Sequence, residues 1–167
     1  GQAFFENAGA STHDGLEAAL SAELAQGLVA TGTYTWSDFK FDRFTAVDGT
    51  DYAGNRIPGV PEHLFNVDLA WDHSSGFYAG WDLLYVGSFS ANNANTVKTD
   101  SYVVSNLRVG YRWQSGSWVF EPFVGVNNLF DEKYNANIRL NASFGRYYEP
   151  APERNGYAGI LLRYGFF

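Results

Sequence analysis

The chain has 167 residues, enough for one domain with a core of its own if it lived in water. Its Lys and Arg number 11 against 18 Asp and Glu, and the net charge of −7 argues against a nucleic-acid partner. It has no Cys, which excludes a disulfide framework and a thiolate site, and no apolar run approaches the length of a membrane helix.

A period of two runs along almost the whole chain and predicts seven long strands. The first, from Gly15, sets Leu16, Ala18, Leu20, Ala22 and Leu24 against Glu17, Ala19, Ser21 and Glu23. The second sets Leu28, Ala30, Gly32, Tyr34 and Trp36 against Val29, Thr31, Thr33, Thr35 and Ser37. The third opposes Phe65, Val67, Leu69 and Trp71 to Asn66, Asp68, Ala70 and Asp72; the fourth opposes Phe77, Ala79, Trp81, Leu83 and Tyr85 to Tyr78, Gly80, Asp82 and Leu84. In the fifth, Val103, Ser105, Leu107, Val109, Tyr111 and Trp113 face away from Val104, Asn106, Arg108, Gly110 and Arg112. The sixth carries Phe120, Pro122, Val124 and Val126 on one face and Glu121 on the other. The last sets Ala158, Ile160, Leu162, Tyr164 and Phe166 against Gly159, Leu161, Arg163 and Gly165. If Gln2–Ala8 pairs as a strand of its own, the count becomes eight.

Aromatics make up 18% of the chain, charged residues only 17%, and Gly occurs 18 times. With a mean hydropathy of −0.24, this is the composition of a β-barrel wall rather than of a helical membrane protein. A soluble sandwich shares the alternation, so two further features decide. Connections alternate between tight turns ("LAQGL", "DHSSGF", "WQSGSW") and long loops, the layout of an outer-membrane barrel. On the apolar face the rings gather at two levels. Trp71, Phe77, Trp113, Trp118, Phe120 and Phe166 stand near the turns, and Trp36, Phe65 and Tyr85 stand near the loops. Ala18, Leu20, Gly32, Leu69, Val109, Val124 and Leu162 lie between them. Two belts with aliphatics between them match two membrane interfaces. A tilted strand of about ten residues at ~3.3 Å each would cross an apolar band of about 25 Å. The expected fold is therefore all-β, an antiparallel transmembrane barrel wall in contact with outer-membrane lipid. No signal peptide or Met is present, so a mature product or a fragment is expected.

Several motifs occur in a specific order: "FFENAGASTHDGLEAAL", "GNRIPGVPEHLFNVDLAW", "YVGSFSANNANT", "YVVSNLRVGYRW" and "VGVNNLFDEKY", then a terminal strand ending in Phe. Together they resemble the C-terminal part of the barrel of TonB-dependent outer-membrane receptors, over almost the entire chain. The resemblance implies that residues 1–167 are the C-terminal segment of a larger 22-stranded barrel, with the N-terminal plug domain absent. It also implies a bacterial outer-membrane location and uptake of a ferric siderophore-type ligand, driven by the TonB complex acting on the plug. The usual family ending closes the apolar parity on its last Phe; here Phe166 holds that parity and Phe167 lies one beyond it. The run from Asn127 to Tyr134 is read as the place where a strand leaves the bilayer. Asn127, Asn128 and Asp131 there are expected to bond the backbone at the rim, a structural role.

Ligand contacts are expected on the long loops. Arg139, Arg146, Tyr147 and Tyr148 offer guanidinium forks beside phenols, which suit anionic metal chelates. Tyr52, Asn55 and Arg56 are weaker candidates of the same kind, and loop packing would use the same residues. Asp48, Asp51 and Asn55 could hold Ca²⁺, but their spacing fits a turn better. Asp72, His73, Ser74 and Ser75 share one tight turn, where neighbours should point apart and form no catalytic relay. No cofactor, metal or enzymatic site is expected. The alternatives are a self-contained eight-stranded outer-membrane barrel with an adhesive or structural role, and a soluble β-barrel that binds a small apolar ligand.

Overall fold

The computed structural model describes residues 9–165. The strands are β1 (Ala10–Ala25), β2 (Leu28–Arg43), β3 (His63–Asp72), β4 (Phe77–Val86), β5 (Tyr102–Tyr111), β6 (Trp113–Ser115), β7 (Trp118–Asn127), β8 (Asn135–Ile138), β9 (Tyr148–Pro150) and β10 (Asn155–Tyr164). One antiparallel sheet runs β1-β2-β3-β4-β5-β7-β10, in chain order for its long strands. Short β6 resumes β5 beyond Arg112 and pairs with β7. The seven long strands are those the alternation predicts. The eighth strand considered at Gln2–Ala8, and the terminal Phe166 and Phe167, lie outside the described residues.

Register keeps one parity from edge to edge. Leu20 faces Gly32, Gly32 faces Val67, and Val67 faces Leu83. Farther along, Leu107 faces Val126 and Val124 faces Ala158. A slip of one residue in any strand would carry its whole apolar set to the other face, so this parity specifies the pairing. The tight turns at residues 26–27, 73–76 and 116–117 close one end. Gly27 shows why a glycine stands there. Its φ is +73°, and a Cβ would sit 2.1 Å from the Asp72 carbonyl oxygen.

The outward face is apolar and bare. Leu20 is 75% exposed, Ile160 65% and Val124 54%, and among the described residues no second sheet or helix covers them. Among the described residues no helix is long and apolar enough to cross a membrane. At the turn end Phe77 packs on Tyr111 with ring centroids 4.7 Å apart, Trp118 packs on Tyr164 at 4.7 Å, and Trp113 faces Phe120. At the loop end Tyr34, Phe65 and Tyr85 stand in one row. Trp81 departs from this belt pattern, standing mid-strand between Leu69 and Leu107.

What core there is lies at the loop end of the inward face. Phe41, Val86 and Val104 are buried there under the loops, together with Ala91. Phe41 packs at a tilt on Phe44 and Phe44 on Tyr52, with centroids 4.9 and 5.5 Å apart. β1 and β2 each run 16 residues against ten for the other long strands, so they project past the Trp36 level. Out there His13 stacks on Phe39 at 4.3 Å, and Thr12 bonds Asp42 at 3.0 Å.

Candidate functional site

Loops of residues 44–62, 87–101 and 128–154 leave the same end of the sheet. Asparagines tie all three together. The Arg56 N–H donates to Asn95 Oδ1 at 2.8 Å, and Asn95 Nδ2 donates back to the Arg56 carbonyl at 2.8 Å. Asn55 Nδ2 reaches the Asn93 carbonyl at 2.8 Å. On the other side the Asn93 N–H donates to Asn141 Oδ1 at 2.8 Å, and Asn141 Nδ2 meets Asn93 Oδ1 at 3.1 Å. Asn95 and Asn141 both sit at positive φ, +57° and +52°, which Asn tolerates better than most residues. The middle loop is thus bonded to both neighbours. Sequence reasoning missed this clamp, because its partners are dozens of residues apart and carry no period.

The residues after β7 form the rim anchor expected of them, with one correction. Asn128 is 3% exposed and at φ +52°. Its Nδ2 donates to the carbonyls of Glu132 (2.8 Å) and Pro152 (3.3 Å), and its Oδ1 accepts the Glu132 N–H at 2.8 Å. Asp131 accepts the Arg154 N–H at 2.8 Å. Asn127, however, bonds the Asn155 side chain at 3.0 Å rather than backbone, because it still sits in the β7–β10 ladder and points inward.

The candidate ligand residues fall into two groups. In the third loop, β8 and β9 form a small hairpin that the sequence reading did not anticipate. There Arg139 Nε donates to Glu149 Oε1 at 2.7 Å, beside a 2.9 Å bond from Asn137 Nδ2 to Glu149 Oε2. The Asn137 amide and then the Arg139 guanidinium hold the Glu149 carboxyl below its ordinary range. Tyr148 donates its hydroxyl to the Lys98 carbonyl at 2.8 Å, and the Tyr147 and Tyr148 rings lie 6.1 Å apart. Arg146 is exposed, with no carboxylate partner among the described residues. In the first loop, Arg56 lies between Asp38 (3.4 Å) and Glu62 (3.1 Å), while Tyr52 packs at a tilt on Phe44.

Asp48 and Asp51 serve as turn acceptors, for the N–H groups of Thr50 (2.9 Å) and Ala53 (3.0 Å). The Thr50 N–H and hydroxyl hold the Asp48 carboxyl below its usual range. The turn at His73 corrects an expectation. Ser75 Oγ lies 2.7 Å from His73 Nδ1 rather than pointing away, because the Ser75 N–H approaches the same nitrogen at 3.3 Å and folds the turn around it. Asp72 is directed at Arg112, 3.4 Å away, so among the described residues no carboxylate orients the imidazole.

On the inward face Glu121 draws in two arginines. Glu121 Oε2 receives Arg112 at 3.3 Å and Arg163 at 3.1 Å. The Arg108 guanidinium lies 4.0 Å from the Phe123 ring centroid and 5.8 Å from that of Tyr78. These rings rest on glycines of the adjacent strands: Tyr78 on Gly110, Phe123 on Gly159, and likewise Tyr157 on Gly125.

A membrane-facing open wall, capped by linked loops at one end and tight turns at the other, defines an outer-membrane architecture. The family described as "TonB dependent receptor-like, beta-barrel" matches residues 1–129. This chain belongs to that family. The lipid its apolar face meets is therefore that of the outer membrane, and the family is one of receptors and transporters. Over 138 residues, 80% of the chain, it is 29% identical to the ferrioxamine receptor of Yersinia enterocolitica. It is 30% identical over 128 residues, 74% of the chain, to the ferrichrome outer membrane transporter/phage receptor of Escherichia coli K12. The chain spans only 19% and 16% of the lengths of those two relatives. The siderophore receptor PiuA of Acinetobacter baumannii shares the fold with a TM-score of 0.76 at 22% identity, over 92% of this chain and 22% of that one. The unliganded ferric citrate transporter FecA does so with a TM-score of 0.77 at 18% identity, over 91% of this chain and 24% of that one.

Proposed function

We propose that this chain is the C-terminal sector of the wall of a TonB-dependent uptake receptor that imports a ferric siderophore or similar metal chelate. The observation that carries this reading is the open sheet. β1 and β10 end the strand order without pairing to each other among the described residues, while both faces of β1 lie exposed. An outer-membrane wall with two free edges is stable only inside a closed barrel. The relatives of matching sequence are named for ferrioxamine and ferrichrome, which supports iron-chelate import. In this reading the rest of the barrel completes the lumen, and a plug in that lumen is what the TonB complex pulls. Arg146, Tyr147, Tyr148 and Tyr52 contact ligand from the canopy, with Arg139 and Arg56 held in place behind them by their carboxylates.

The test is uptake of iron-55 chelates by iron-starved cells that carry the full-length receptor as their sole siderophore receptor, with and without an intact TonB gene. Uptake that requires both the receptor and TonB supports the reading. Receptor-bearing cells that take up no more iron than receptor-free cells would overturn it.

A further inference from the structure

Pro122 lies midway along β7, a strand flanked by β5 and β10. Proline is normally confined to edge strands and bulges, because it donates nothing to a ladder. No bulge accommodates this one. Gly110 faces Phe123 and, with the same register, Trp113 faces Phe120, which sets Tyr111 opposite Pro122. The Arg112 N–H donates to the Gly76 carbonyl at 2.7 Å on the β4 side, so its neighbour Tyr111 turns its own N–H and C=O toward β7. The Tyr111 carbonyl thus meets a residue without an N–H, and no described residue supplies another donor. In lipid, an acceptor left open in this way is costly.

The open carbonyl lies beside a groove of about 750 Å³ on the outward, apolar face. Its floor is a row that the ladder sets side by side: Ala79, Val109, Val124 and Ala158. Its wall toward the turns is aromatic. Trp71 stands beside Ala79, and Phe77 packs on Tyr111. The groove therefore begins among the rings of the turn-side belt, at headgroup level, and reaches in among the aliphatic side chains of the mid-wall. No charged residue lines it. Arg112 and Arg163, at the same end of the sheet, are drawn to Glu121 on the inward face. His73 packs on Trp71 with ring centroids 5.2 Å apart and bonds Ser75 at 2.7 Å.

We infer that the groove seats one phospholipid of the turn-side leaflet, with an acyl chain along Ala79, Val109, Val124 and Ala158 and a primary ammonium headgroup on the Tyr111 carbonyl. An ammonium supplies the N–H that Pro122 withholds, and the faces of Trp71, Phe77 and Tyr111 attract its charge. A quaternary ammonium carries the same charge but no N–H, so it satisfies the rings and leaves the carbonyl open. An anionic headgroup finds no cation in the groove, and an acceptor where it needs a donor. The site faces lipid rather than the lumen and is independent of any imported chelate.

Native mass spectrometry of the full-length receptor in detergent tests this, with phosphatidylethanolamine, phosphatidylcholine and phosphatidylglycerol of identical acyl chains as probes. The first lipid bound is expected to be phosphatidylethanolamine, about tenfold tighter than either other probe, the scale of one charge-assisted hydrogen bond. Pro122→Val gives Tyr111 its ladder donor at similar bulk and is expected to fold normally and erase that preference. Ala158→Trp fills the groove and is expected to lose the bound lipid. Heat-modifiable mobility on gels confirms that each variant is folded before it is scored. Equal binding of the ethanolamine and choline lipids, or tightest binding of phosphatidylglycerol, would overturn the inference. So would a preference that survives Pro122→Val, since the lipid would then sit elsewhere. A protein in place of lipid, captured by a photocross-linker at position 124 in intact membranes, would also overturn it.

Discussion

Tyr78 covers Gly110 of the neighbouring strand, so closely that a Cβ on Gly110 would stand 2.3 Å from the ring's Cζ. The ring fills the missing side chain of its partner and supports Arg112, whose guanidinium lies 5.6 Å from it. Gly110→Ala therefore has to eject the ring. The expected loss is about 1–3 kcal/mol, the scale of overpacking, measured as the urea midpoint of the receptor refolded in detergent. The Tyr78→Ala/Gly110→Ala pair should lose less than the sum of the two single changes, because the clash disappears with the ring.

Asn128 satisfies three backbone groups with one side chain. Replacing it with Ala leaves those groups without their partner and should cost about 2–3 kcal/mol locally. Asn128→Asp should be no milder, since it sets an oxygen against the Glu132 and Pro152 carbonyls in place of N–H donors. Limited proteolysis of residues 128–154 reads this out: both variants are expected to be cut faster there while the barrel's heat-modifiable mobility persists.

The β8–β9 hairpin should respond to acid. Glu149 is held below its ordinary range by Asn137 and Arg139. A carboxyl depressed on folding contributes its stability above the unfolded value, near 4.3 by the usual reference, and loses it as the pH falls through the lower folded value. Hydrogen exchange at Arg139, whose N–H donates to the Tyr147 carbonyl, should be flat with pH after intrinsic-rate correction near neutrality and accelerate below about pH 4. Glu149→Gln should show the acid behaviour at neutral pH.

The two faces of the wall should tolerate charge unequally. Val124→Arg places a cation on the bare outward face and is expected to cost about 2–4 kcal/mol, while Thr31→Arg on the inward face should cost about 1 or less. Refolding yield into bilayers and urea midpoints compare them, and similar losses for both would contradict the assignment of faces.

The long strands were legible because lipid punishes a polar residue on every second position, so the apolar parity runs through the long strands from Leu16 to Tyr164, Ser105 apart. Past Trp36 and before Leu16 the outward face turns polar. There Thr12, Asp14, Asp38 and Lys40 break the apolar alternation, and the outer extensions of β1 and β2 went unread. The canopy was less legible still. Its loop ends and the Asn128 anchor follow from local turn chemistry, but Asn93 meets Asn141 across 48 positions. The Arg139 and Arg56 partners, Glu149, Asp38 and Glu62, come from pairing that a linear reading does not supply.

The account's central claim is that this chain is a sector of a larger receptor wall. Intact mass spectrometry of the mature protein extracted from outer membranes in detergent tests it most directly. The account predicts a species several times the 18.5 kDa of this chain, folded and heat-modifiable, and containing this sequence. A folded, heat-modifiable species of 18.5 kDa, with β1 closed onto β10, would contradict it.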